Sequence, residues 1–333
     1  MTRPAGALAL VAALAGALVA VVLGFLTFGA QATVAPDGVP VAVAAPPEIA
    51  QRIAAHGGGQ LAWTVATPAE ARQLLEDKKV YGVLELAPGP AATVVTVVTS
   101  GAVNPAGTQV AQQALTGAAT ALAGPPKQEV LHPVGLAGRI APLAASALAW
   151  IGALVAGLAL TQLAKRTGRT IGSGARFLQV IGAGVLITAV VAGFFALWDS
   201  SLPLTADVLG FVFLAATAFA ALQAGLLRLL GLRAMAVLAP LYLVAPAVAG
   251  QVPELLNPAY RALLWSWTPF RFSTEGLRSL LQGVPGAPDV TTALWVLGAL
   301  LATGLLVALW PARSAREQAE PHLADGVVEV GVH

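Results

Sequence analysis

Six long apolar blocks run through this chain, at about 7–29, 141–163, 177–198, 206–227, 232–250 and 290–310. A helix needs about 20 predominantly apolar residues to cross the hydrocarbon core of a bilayer. Each block is close to that length and nearly free of charge. The spacing is uneven: one block stands near the N-terminus and five crowd the second half, with residues 31–140 between the first and the second. This pattern predicts an α-helical polytopic membrane protein of six transmembrane helices, one plus five, with an inserted extracytoplasmic α/β domain. Its parts are an N-terminal anchor helix (1–30), the inserted domain (31–140), a five-helix bundle (141–311) and a cytoplasmic tail (312–333).

Between the first two blocks the pattern changes to short elements. Residues 39–45 and 61–66 read as strands, and 47–55 as a helix with Ile49 and Ile53 on one face. Thr67-Pro68-Ala69-Glu70 has the form of a capping box with proline at the first helical position, and Leu74 and Leu75 supply the apolar face of the helix it opens. Strands are expected at 80–86 and 93–99, separated by a Pro88-Gly89-Pro90 turn, and an Ala-rich helix at 105–123. The order βαβαββα is that of a small α/β domain. Its charges balance, and Glu76, Asp77, Lys78 and Lys79 read as a solvated helix end.

Orientation follows from the short loops, because Lys and Arg accumulate on the cytoplasmic side. Lys165, Arg166, Arg169 and Arg176 follow the second block, Arg228 and Arg233 separate the fourth and fifth, and Arg313 and Arg316 follow the sixth. These are alternate loops on one side. Both termini are then expected in the cytoplasm and residues 31–140 outside it, in a cell membrane protein. Met1-Thr2-Arg3 before an apolar run, with Ala30-Gln31-Ala32 in Ala-x-Ala form, also resembles a secretory signal. Signal cores run about 7–15 apolar residues, so the longer run here favours an uncleaved anchor. A mature chain beginning at Thr33 is the competing reading.

Composition agrees with the pattern. The 333 residues are 57% hydrophobic and 10% charged, with mean hydropathy +0.78, whereas soluble domains carry about 25% charged residues. A net charge of +2 gives no reason to expect a nucleic-acid partner. The absence of cysteine excludes disulfides, thiolate metal sites and lipoprotein acylation.

Candidate chemistry is sparse. His56, His132, His322 and His333 lie in separate segments and read as solvated loop residues rather than metal ligands. Neither a P-loop sequence nor a G-x-S-x-G elbow occurs. No enzyme activity, cofactor or metal is expected. Asp199 and Asp207 stand at block ends, and neutral Gln162 and Gln223, within the blocks, read as hydrogen-bonding groups between helices. Ion-coupled carriers place titratable groups within the bilayer, so a transporter built from this chain would draw its energy elsewhere. Ala12, Gly16, Ala20 and Gly24 make a small-residue stripe on the first helix, which serves as a packing seam or follows from the Ala-rich composition.

The most distinctive segment is 253–283. It is too broken by proline to span and too apolar to float in water. Trp265 and Trp267 suit the membrane interface. Ser273 is expected to N-cap a short amphipathic helix with Leu277, Leu280 and Leu281 on one face, and Gly283 to stop it. The segment is either a re-entrant element packed in the bundle or a loop lying on the headgroups.

A tryptophan–proline–aromatic stretch followed by Gly276-Leu277-Arg278 and Gly283 before the last span resembles the re-entrant region of ABC-2 type transporter membrane subunits. The wider layout, with a strand like Val39-Pro40-Val41-Ala42-Val43 opening the external domain and a helix like Leu148-Ala-Trp-Ile-Gly-Ala-Leu154 opening the bundle, resembles the branch related to phage infection proteins. The resemblance implies the permease of an exporter, acting as a homodimer in membrane lipid with a separate cytoplasmic ATP-binding subunit. Lys165, Arg166, Arg169 and Arg176 would be the ATPase-coupling loop, unless they serve topology alone. Trp265, Trp267, Pro269, Glu275, Gly276 and Arg278 would form the re-entrant element. One departure is that many ABC-2 subunits carry an amphipathic helix before the first span, where this chain has only Met1 to Gly6. The alternative function is a non-transporting surface receptor or scaffold whose external domain binds an envelope partner.

Overall fold

The computed structural model describes residues 5–56, 59–89 and 93–310. The expected tail at 312–333, with Arg313, Arg316, His322 and His333, lies outside the described residues, as does Pro90 of the expected turn.

The chain opens with α1 (Ala5–Gly24), continued through a π-helical turn at Phe25–Gly29 and a last turn at Ala30–Ala32. The α/β domain follows: β1 (Val39–Ala44), α2 (Pro47–His56), β2 (Leu61–Val65), α3 (Pro68–Glu76), β3 (Val83–Pro88), β4 (Thr93–Ser100), α4 (Pro105–Ala123) and β5 (Lys127–Leu131). The strands form one sheet in the order β2-β1-β3-β4-β5, with β1 parallel to β2 and β3, β4 antiparallel to β3, and β5 parallel to β4. Alternation along β1 sends Val41 and Val43 towards Ala111 and Leu115 of α4, and Ala42 and Ala44 towards Ala71 and Leu75 of α3. The capping box forms as expected: the Thr67 hydroxyl accepts from the Glu70 amide, and the Glu70 carboxylate accepts from the Thr67 amide at 3.0 Å. Arg72 on α3 donates to Glu85 of β3 at 2.8 Å and to Glu129 of β5 at 2.7 Å, pinning the helix across the sheet.

The bundle comprises α5 (Leu136–Thr167), α6 (Ser173–Trp198), α7 (Ala206–Leu230), α8 (Met235–Ala249), α9 (Pro269–Leu281) and α10 (Pro288–Leu309). Among the described residues, five helical stretches are long and apolar enough to cross a membrane: Ala9–Ala32, Leu136–Thr167, Ser173–Trp198, Ala206–Ala249 and Pro288–Leu309. The sequence predicts six. The difference lies in Ala206–Ala249, a run of 44 residues that the sequence divides into two blocks. The run is not straight. Phe219 and Tyr242 would stand about 34 Å apart along a continuous helix. Yet their rings lie 5.6 and 6.5 Å from that of Phe270. The chain therefore reverses between α7 and α8, at a 3₁₀ turn over Gly231–Ala234 where Gly231 has φ +57°.

Helix α7 is the centre of the bundle. It runs parallel to α10 and so close that a Cβ on Gly304 would lie 2.5 Å from the backbone carbon of Ala221. Arg228 donates to the carbonyls of Val307 and Ala308 at 2.9 and 3.1 Å, closing the end of α10 with a cation where the helix dipole is negative. Gln223 is fully buried and donates to the Trp150 carbonyl of α5 at 3.1 Å, the interhelical bond expected of it. Gln162 is exposed. The side chains of α1 stay largely bare. Only its C-terminal end is held, with Leu23 and Leu26 against Val244 and Val248 and the Phe25 carbonyl accepting from Tyr260 at 2.7 Å. The stripe at Gly16 and Gly24 faces open space.

The segment before α10 enters the bundle. Phe270 at the start of α9 packs on Trp150, midway along α5, and Phe219, midway along α7, at 5.3 and 5.6 Å. Further along the helix, a Cβ on Gly276 would lie 2.6 Å from Phe211, near the start of α7. Ser279 then reaches Asp289 at the start of α10. The 13-residue helix thus runs from the middle of the bundle to its domain-side end. Its start corrects the sequence expectation. Thr268, with ψ 127°, and Pro269 begin the helix. Ser273 is not the N-cap but an interior residue, donating its hydroxyl to that of Ser146 at 2.8 Å.

Candidate functional site

The α/β domain meets the bundle through charged and polar side chains that neither part could leave unpaired. The first contact comes from the end of α3. Asp77 closes that helix, and Lys78 follows with φ +58°. Glycine is the usual residue in this left-handed position, and a side chain there costs about 1–2 kcal/mol. The conformation sends the lysine away from the sheet. Its ammonium meets Asp289 of α10 at 2.6 Å and also the Ser279 hydroxyl of α9. The Lys78 and Asp289 side chains are 13% and 21% exposed.

The second contact comes from the start of α4. Asn104 caps that helix by accepting from the Ala106 amide at 2.9 Å, and its Nδ2 donates to Glu275 Oε1 at 2.7 Å. The other Glu275 oxygen accepts from Arg278, one turn along α9, at 2.5 Å. In the third, Tyr81 donates to Glu254 at 2.9 Å, its ring lying where a Cβ of Gly107 would be. Apolar packing of Val39 against Val252 and Leu255 closes the junction beside it. The backbone amides of Ala35 and Asp37 donate to the carbonyls of Leu255 and Glu254.

These groups surround a cavity of about 150 Å³, lined by Lys78, Tyr81, Asn104 and Asp289 together with Gln251, Trp265, Arg271 and Glu275. Arg271 stacks over the Trp265 ring at 3.8 Å from its centroid, so this tryptophan joins the site by shaping the arginine. Electrostatics favour the ionised pairs. Burial works to raise the Glu275 carboxyl, but the Arg278 and Lys78 charges and the bonds from Arg278 and Asn104 outweigh it and hold the group below the ordinary carboxylate range. Burial, with the Glu254 charge beside it, pushes the Tyr81 phenol well above its usual range, so it stays a donor. Among the described residues no cluster of His, Asp and Glu could hold a metal ion. The arrangement suits a mechanical grip: Lys78, Asn104 and Tyr81 of the domain each donate across the boundary to a carboxylate.

Of the residues singled out by sequence, the structure brings Glu275, Arg278 and Trp265 to this junction, while Gly276 packs on Phe211 and Ala293 inside the bundle. Pro269 starts the helix that carries Glu275, Gly276 and Arg278. Trp267 is 53% exposed and donates to the Leu263 carbonyl, away from the cavity. Lys165, Arg166 and Arg169 are exposed at the opposite end of the bundle. Arg176 separates from them and lines a cleft with Arg228. Two readings are corrected. The charges at 76–79 are not simply a solvated helix end, because Lys78 is engaged as above and Glu76 faces His132 at 3.0 Å. His132 is therefore not a free loop residue. Lys78, Asn104, Glu254 and Asp289 escape sequence reasoning as site residues. The one signal available is that Lys78, Asn104 and Asp289 stand at helix boundaries, where the backbone can aim a side chain along the helix axis; Glu254 lies within a short 3₁₀ turn, Pro253–Leu255.

No protein-family model, curated protein or solved structure matches this chain.

Proposed function

We propose that this chain is the membrane-spanning subunit of an exporter of the ABC-2 type, working as a homodimer with a separate cytoplasmic ATPase. In this reading α1, α5, α6, α7, α8 and α10 make six crossings, α9 is re-entrant, and the α/β domain lies outside the cytoplasm. The observation that carries it is α9. A short helix starts beside Trp150 and Phe219 in the bundle interior and ends in the ionic contacts that hold the domain. Such a helix transmits movement between the bundle and the domain. Around its start, Ser146, Ser273 and Thr274 share hydroxyl hydrogen bonds, and the charged Glu275 and Arg278 fall towards its domain-side end. No Asp or Glu occurs between residues 138 and 198, 208 and 253 or 290 and 310, so the crossings themselves offer no carboxylate relay, which favours energy delivered by a partner.

The test has two parts. Because the chain lacks cysteine, single substitutions report topology cleanly. With an impermeant maleimide on intact cells, Gln113→Cys on α4 is expected to label and Arg169→Cys is not. For function, the purified protein is expected to bring with it a P-loop ATPase whose hydrolysis depends on the membrane subunit. A transport-competent preparation with no nucleotide-binding subunit would overturn the exporter assignment.

A further inference from the structure

The end of the bundle remote from the α/β domain collects positive charge. Lys165, Arg166, Arg169, Arg176, Arg228 and Arg233 all fall there, and no Asp or Glu occurs between residues 167 and 198 or between 208 and 253. Most of these cations are exposed. Two are not: Arg176, in the first turn of α6, and Arg228, in the last turn of α7, line one cleft of about 90 Å³ with Thr161 and Gln179. Among the described residues, no carboxylate lines it.

Each arginine is positioned by the protein but not neutralised. Arg176 donates one bond to the Ile171 carbonyl at 3.3 Å, and Arg228 donates to the end carbonyls of α10. A guanidinium has five N–H donors, so several remain. The Gln179 Nε2 is completely out of solvent and has no hydrogen-bond partner among the described residues. A buried donor left unpaired costs about 1–3 kcal/mol, and two like charges facing one cleft add repulsion. Both costs disappear if an acceptor-only anion sits there. Phosphate fits best: several oxygens, no donor required, and a geometry that guanidinium groups match in pairs.

We propose that this cleft binds the phosphate of an anionic phospholipid headgroup. Position selects the lipid as the source. The cleft lies at the end of the apolar stretches Leu136–Thr167, Ser173–Trp198 and Ala206–Ala249, flanked by exposed Leu163, Phe177 and Leu178, so a molecule with a phosphate in the cleft has an apolar surface beside it for its chains. The leaflet, cytoplasmic, rests on the topology proposed above. The site itself does not rest on the exporter assignment.

The experiment measures thermal stabilisation of the purified full chain in neutral detergent by three probes: dihexanoyl phosphatidylglycerol, dihexanoyl phosphatidylcholine and inorganic phosphate. The glycerol lipid is expected to raise the unfolding midpoint saturably, and the choline lipid to do so at least tenfold more weakly. Arg176→Gln and Gln179→Leu are each expected to weaken the anionic-lipid effect about tenfold or more, the loss of one charge-assisted or buried hydrogen bond. Arg233→Gln, which removes the same charge from the same end but does not line the cleft, is expected to leave the response intact. Circular dichroism at rest confirms that each variant is folded. An equal response to inorganic phosphate would overturn the lipid in favour of a free anion. An unchanged response in both cleft variants, or equal loss with Arg233→Gln, would overturn the site. Labelling of Arg169→Cys from outside would overturn the leaflet and the topology but leave the binding result standing.

Discussion

Removing the Lys78 ammonium tests whether the ionic junction holds the domain to the bundle. Lys78→Met keeps the length and apolar stem of the side chain and deletes the charge. Two limits bracket the effect. Exposed ion pairs contribute about 0–1 kcal/mol, whereas breaking a fully buried one costs about 3–5 kcal/mol because a charge is left uncompensated. The side chains here are 13% and 21% exposed, which places the pair near the buried limit. Asp289 keeps one partner, since the Ser279 hydroxyl lies 2.8–2.9 Å from its oxygens, and that lowers the cost. About 2–3 kcal/mol follows, equivalent to a rise of about 30- to 150-fold in the population of opened junctions. Hydrogen exchange of the backbone amides at 284–290 reads that population directly, and their exchange is expected to speed by this factor while the strands of the sheet are unaffected. Lys78→Gly is expected to lose less than Lys78→Met, because glycine relieves about 1 kcal/mol at the left-handed position. In the double variant Lys78→Met with Asp289→Asn the losses are expected to fall well short of additive. Exchange in Lys78→Met within twofold of the unaltered protein, or strict additivity, would refute the grip.

Three further predictions concern other contacts. Glu275→Gln leaves Arg278, 5% exposed, without its charge partner, and is expected to cost about 3 kcal/mol or more, read as a lowered thermal midpoint; Arg278→Met paired with Glu275→Gln is expected to recover part of it. Since the Glu275 and Glu129 carboxyls are held below their ordinary range, their stabilisation is fully present above the unfolded carboxylate pKa and is lost as pH falls through the lower folded values, so a stability titration is expected to be flat from neutral pH to about 5 and to drop below about 4. Gly304→Ala, which in an open helix would gain about 0.5–1 kcal/mol, is expected to destabilise here, because the new methyl meets the α7 backbone at 2.5–2.6 Å; a raised midpoint would show that α7 and α10 are not closely packed.

What the sequence discloses, and what it withholds, divides along a physical line. Helix α4 is legible to the residue at Pro105–Ala123, and the box at Thr67–Glu70 locates the start of α3, since capping and periodicity are local and written in neighbouring residues. Strand β5 escapes the pattern because Lys127-Gln-Glu-Val-Leu131 is half polar. As an edge strand it needs no apolar alternation, only β4 beside it. The start of α9 is misread for a related reason. Ser273 has the chemistry of an N-cap, but the Thr268-Pro269 pair sets the start five residues earlier, and the serine hydroxyl finds Ser146, 127 positions away, instead. The junction lies wholly on the illegible side. Lys78 and Asp289 are 211 positions apart, and nothing local distinguishes that lysine from Lys79, which stays 63% exposed beside it. The backbone does distinguish them: of the two, Lys78 alone takes the left-handed conformation. A strained lysine where glycine would be comfortable is retained at a cost, and the cost is offset only if the ammonium does something on the far side of the boundary. That is why the position, rather than the charge, marks the contact that ties the domain to α9 and α10.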